Sequence, residues 1–133
     1  MLRDDFVKAK REAAERLTAA LVLPAFREVL HRKYGVRPER VVFERDEALG
    51  RIRDAVLLPR AESAERGEEI SGETDGETIW IMRDLDHEDT VDTLIHEAMH
   101  DSVFVVRETR GGRKRALTCE DEHDAIARAG IAV

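Results

Sequence analysis

RDLDHEDTVDTLIHEAMHDSVFVV, Arg83 to Val106, decides how this chain reads. Val91, Leu94, Ile95, Ala98, Met99 and Val103 recur at spacings of three and four, the period of an amphipathic helix with one buried stripe. Asp86 or Asp89 suits its N-cap. His96 and His100 stand four apart, so a helix turns both imidazoles to one face, beside the apolar stripe.

Upstream of that helix, Phe6, Ala13, Leu17 and Leu21 mark an amphipathic helix over residues 2–23. A second is expected over residues 25–34, opened by Pro24 and closed by Gly35. Residues 1–35 thus form an N-terminal helical segment. Short β-branched runs follow, RVVFE (40–44), DAVLLP (54–59) and ETIWIM (77–82), each of strand length. Residues 60–77, acidic and glycine-punctuated, read as a flexible loop. VFVVRETRGGRKRAL predicts a loop or irregular hairpin with a basic tip, and TCEDEHDAIARAG a short helix with Thr118 as N-cap and Gly130 as its stop. The expected class is α+β: N-terminal helices, a small three-stranded or larger mixed sheet, the histidine helix and a short C-terminal helix, all in one domain over residues 1–133.

Composition narrows the function classes. The formal charge is −7 with 38% charged residues, which disfavours nucleic acid and anionic membranes as partners. Arg110 to Arg115 leave one local basic loop that keeps nucleic acid open, although a solvated turn is its default reading. Cys119 is the single cysteine, so no disulfide framework or four-thiolate zinc ribbon is possible, and a reducing, cytoplasmic location is expected. No apolar signal core opens the chain and no run of about 18 uncharged apolar residues occurs, so no membrane association is expected.

The helix carries HEAMH, the H-E-x-x-H arrangement. His96 and His100 are candidate zinc ligands, and Glu97, about 100° further round the helix, is the candidate general base for a metal-bound water. Paired core histidines without a metal would need other partners for their ring nitrogens. A catalytic zinc needs a third protein ligand. Glu122 is preferred because it shares the inward face of the last helix with Ile126 and Ala129, whereas Glu120 lies on the polar face with Asp124 and Arg128. Glu120 and His123 remain alternatives.

On HEAMH together with CEDEHDAI, the chain resembles minimal zincin-type metallopeptidases of the gluzincin kind. EHDAIARAG also resembles the ending of small phage and microbial members, which favours Glu122, while the E-x-x-x-D spacing of Glu120 and Asp124 resembles the thermolysin-like glutamate ligand with its supporting aspartate. The resemblance implies a zincin-like core, one catalytic zinc, a peptide or protein substrate, and an edge strand, here TIWIM, that binds an extended peptide by strand addition. It covers the C-terminal third, with no metzincin continuation and no zinc ribbon.

Other polar residues carry weaker expectations. Asp101 and His87 read as exposed helix residues, Trp80 as sheet packing, and Cys119 as a small buried side chain. An oxyanion stabiliser is not identifiable, with Tyr34, His123 and the tip arginines as candidates. Two rival readings stand beside the peptidase: a zincin-like binding module with structural or no zinc, and an acidic interaction protein in which HEAMH arises by chance.

Overall fold

A computed structural model describes residues 3–58, 71–100, 102–106, 113–115 and 119–130, with backbone alone for 113–115, 119–121 and 123. Among the described residues the fold is α+β, with five α-helices and two small sheets.

Helices α1 (Arg3–Ala19) and α2 (Val22–Tyr34) form the expected N-terminal pair. Phe6, Ala9, Ala13 and Leu17 are the buried face of α1, and the two alanines leave room for a close neighbour. Gly35 ends α2 in the left-handed region at φ 66°, and its N–H reaches His31 O while that of Val36 reaches Leu30 O, closing the carbonyls that a helix end leaves open.

Strand β1 (Val41–Phe43) leads into α3 (Arg45–Asp54), and β2 (Val56–Leu57) follows directly. Helix α3 was not expected from the sequence. Only Ala48 and Ile52 are buried on it and Gly50 sits in its middle, so its apolar signal is too thin to stand out from a loop. Strand β3 (Gly72–Thr74) lies in the stretch expected to be loop, of which residues 60–70 fall outside the described residues. It forms because β4 (Ile79–Ile81) supplies an antiparallel partner and the Asp75 carboxylate caps the intervening turn, accepting from the N–H groups of Glu77 at 2.9 Å and Thr78 at 2.8 Å.

The first sheet has the order β2-β4-β3, with β2 parallel and β3 antiparallel to β4. The IWI strand is therefore central and not an edge, which corrects the placement implied by the resemblance; among the described residues β2 and β3 are the edges. Ile79 and Ile81 are buried while Trp80 is half-buried, in register with Glu73 and Val56 on the opposite face.

Helix α4 (His87–Met99) is the histidine helix, and β5 (Val103–Val106) follows it at once. The second sheet runs β1-β5-β6, all antiparallel, with β6 at Arg113–Arg115. Val106 opposite Arg113 makes the expected hairpin, whose tip at 107–112 lies outside the described residues. Last comes α5 (Cys119–Arg128), ended by Gly130 at φ 77°; Thr118, the expected cap, is also outside.

One apolar core joins these parts, with Leu17, Phe26, Leu30, Ile52, Ile79, Ile81, Leu94, Ile95, Met99 and Ile126 buried in it. Each such side chain contributes roughly 1.5–3 kcal/mol by leaving water, so α4 is held mainly by its stripe. Helix α1 packs on α4 and α2 packs on α5. Arg128 pairs with Glu28 at 3.1 Å, and Arg32 with Asp124 at 3.1 Å, which aligns α5 against α2 at the surface. No helix among the described residues is long and apolar enough to cross a membrane.

Candidate metal centre

Helix α4 starts where the sequence indicates. The Asp86 carboxylate accepts from the N–H of Asp89 at 2.7 Å, and the Thr90 hydroxyl donates to Asp86 O at 2.7 Å, with Glu88 and Asp89 opposing the positive end of the helix dipole. The end differs from expectation. Regular helix stops at Met99, and His100 is its C-cap, with φ −61° and ψ 134°. The chain leaves the helix there to enter β5, because Ser102 must reach the carbonyl-to-amide pairing with Glu44 that opens the second sheet.

The two rings nevertheless meet. His96 Nε2 and His100 Nε2 are 3.0 Å apart, with ring centroids 4.5 Å apart and planes at 87°. Glu97 joins them: one donor atom from each of His96, Glu97 and His100 lies within 4.8 Å of the others, so the three could hold a metal ion. Glu97 is 8% exposed, a value at which an ionised carboxylate is costly. Burial pushes its carboxyl above the ordinary value; the negative charges of Glu73 and Glu122 act in the same direction, and His100 acts against them.

Glu122 arrives from α5 and is 2% exposed. Its face with Ile126 does point inward, as the sequence pattern indicates. Its Oε2 lies 2.7 Å from His100 Nδ1, the ring nitrogen on the far side from His96. Glu122 thus stands behind His100, outside the cluster formed with His96 and Glu97. The side chains of Glu120 and His123 lie outside the described residues, as does Asp101.

Arg51, on the unexpected helix α3, is the residue that sequence reasoning missed. Its Nη2 donates to Ala98 O at 2.9 Å and His100 O at 3.3 Å and also meets Ser102 Oγ, while Nη1 donates to Gly76 O at 3.2 Å. Ser102 Oγ donates in turn to Ala98 O. No spacing in the sequence links residue 51 to residues 98–102.

The remaining candidates stand apart. His87 is exposed and bonded to Glu12 on α1, where Arg16 also holds Glu12 at 3.1 Å and Glu88 at 3.2 Å. Glu12, His87 and Glu88 are close enough to hold an ion, but the Arg16 cation is already lodged among them. Tyr34 is 54% exposed at the end of α2, outside the histidine cluster. No family model, no curated protein and no solved structure matches the chain.

Proposed function

We propose that the chain is a zinc-dependent hydrolase, and among hydrolases a metallopeptidase of zincin type, with His96 and His100 as nitrogen ligands and Glu97 as general base. The observation that carries this reading is the Nε2 to Nε2 distance of 3.0 Å beside a buried glutamate. Two nitrogens on one tetrahedral zinc stand about 3.3–3.4 Å apart, so a few tenths of an ångström of ring movement suffices, and the nitrogen-rich donor set suits zinc over magnesium or calcium.

Zinc bound there supplies a more acidic water and a polarised substrate carbonyl. Glu97 would take the proton released by the attacking water and pass it to the leaving amine, the role of a carboxylate that stands beside the metal ligands. Glu122, behind His100, holds Nδ1 as the protonated nitrogen and leaves Nε2 free to ligate, the orienting role of a carboxylate behind a metal-binding histidine. On this reading Glu122 acts on His100 through Nδ1, and its expected role as third ligand stays the alternative for the same carboxylate. The substrate is an extended peptide laid along β3, the edge strand nearer the histidine helix, where a Cβ on Gly72 would stand 2.7 Å from Thr93 Cγ2 of α4.

One observation favours the binding-module rival. Glu122 Oε2 lies 2.7 Å from His100 Nδ1 and His100 Nε2 lies 3.0 Å from His96 Nε2, so these buried and half-buried polar groups can serve as one another's partners. Metal analysis of protein purified without added zinc separates the two readings. The hydrolase requires about one zinc per chain, loss of zinc in His96→Ala, and retained zinc without peptide cleavage in Glu97→Ala. Wild-type protein that takes up no zinc on reconstitution excludes the hydrolase; bound zinc with no cleavage of a broad peptide library favours the module.

A further inference from the structure

His100 does not sit in regular helix, so the i, i+4 ladder alone does not set its ring. It is the C-cap, its ψ of 134° belongs to the following strand, and the last carbonyls of α4 have no partners further along the helix. Ser102 meets two of them, its N–H donating to Met99 O at 3.3 Å and its Oγ to Ala98 O, and a guanidinium from elsewhere in the fold joins it. Arg51 Nη2 reaches Ala98 O and His100 O, which bracket Met99, and the same nitrogen meets Ser102 Oγ just beyond the turn. Through Nη1 the same side chain holds Gly76 O in the turn between β3 and β4. A planar fork satisfies these groups together; an ammonium, a single point charge on a flexible stem, cannot span both sets. The positive charge also faces the negative end of the α4 dipole.

We infer that Arg51 is a positioning residue for the metal centre: its guanidinium fixes the turn at His100 so that the ring faces His96 on one side and Glu122 on the other. The inference rests on the zinc reading for its consequence in metal binding, but its geometric content belongs to the metal-free protein as well. A cap with a merely structural role would lower stability when removed and leave the two rings unchanged in molecules that remain folded. A positioning role moves the rings.

The test compares Arg51→Met and Arg51→Lys with wild type, and with Arg53→Met as a control, since Arg53 is exposed on the same helix and its side chain pairs, among the described residues, with its neighbour Asp54. Three quantities are read on folded protein: zinc affinity by chelator competition, the visible spectrum of the cobalt-substituted protein, and the imidazole proton and nitrogen shifts of the metal-free protein. Arg51→Met is expected to weaken zinc binding by about 10–100-fold, to change the cobalt bands and to shift the His96 and His100 ring signals, with Arg51→Lys intermediate and Arg53→Met like wild type. Wild-type affinity and unchanged ring signals in both Arg51 variants, with only the thermal midpoint lowered, overturn the inference. Should Arg51→Met fail to fold, Arg51→Lys decides it by the same readouts. If wild type binds neither zinc nor cobalt, the zinc reading fails separately, and the metal-free ring signals still decide whether Arg51 positions His100.

Discussion

Two glycine-to-alanine substitutions, a few residues of chemistry apart in size, are expected to move stability in opposite directions. At Gly72 in β3, a Cβ would stand 2.7 Å from Thr93 Cγ2, 2.9 Å from Trp80 O and 3.2 Å from Ile81 Cδ1. The first and third contacts are side chains, but the second is backbone of the paired strand, so rotation of a side chain cannot relieve it. Gly72→Ala must therefore push β3 away from β4 and α4, and overpacking of this kind costs about 1–3 kcal/mol. With a urea slope of about 1.5 kcal/mol per molar for a domain of this size, the unfolding midpoint falls by roughly 0.7–2 M. At Gly50 in α3 the nearest atom to an added Cβ is Arg53 Nη2 at 3.7 Å, ordinary contact. Gly50→Ala in a helix interior should stabilise by roughly 0.5–1 kcal/mol. The double variant Gly72→Ala, Thr93→Ser removes the methyl but keeps the Trp80 contact, and should recover part of the loss. Urea titration followed by circular dichroism measures all four proteins. Unchanged stability in Gly72→Ala would refute the packing of β3 on the histidine helix, and with it the placement of the substrate strand beside the centre.

Glu122→Gln is expected to reduce zinc affinity by about 10–100-fold with one zinc still bound; complete loss of stoichiometric zinc would instead make Glu122 a ligand. Glu97→Gln tests the buried carboxyl in chelator-treated protein. Because the folded-state pKa of Glu97 lies above its ordinary value of 4.5, the folded protein holds this proton more tightly than the unfolded chain, and stability falls as pH rises through that window. Glu97→Gln lacks this loss, so its urea midpoint should gain on wild type as pH rises above 4.5, and a gap independent of pH would contradict the assignment.

The strongly periodic elements were legible in the sequence. The faces of α1, α2 and α4, the stop at Gly35 and the close at Gly130 follow from spacing and capping chemistry that act over a few residues. The hairpin of β5 and β6 was legible for the same local reason. Helix α3 was not, because two buried residues and a central glycine leave its formation to packing against α1 and α4. Nor was β3, whose polar text becomes strand only when β4 pairs with it. The position of IWI in the middle of its sheet depends on that same pairing and on β2 joining in parallel from the other side.

The candidate site divides along the same line. His96 and Glu97 adjoin on α4 and His100 caps its end, so sequence spacing was enough to bring the three groups near one another. The inward face of Glu122 was also readable, from the apolar Ile126 one turn later. Which nitrogen of His100 Glu122 meets, where the helix stops, and that Arg51 closes that stop are matters of tertiary structure. They depend on how α5 docks on α2 and α3 on α4, through contacts between residues tens of positions apart, and a local pattern carries no record of such contacts. The sequence by itself determined which candidate groups cluster at the end of α4; only the packed fold decided how those groups are aimed, because aim is set by neighbours that the chain brings together last.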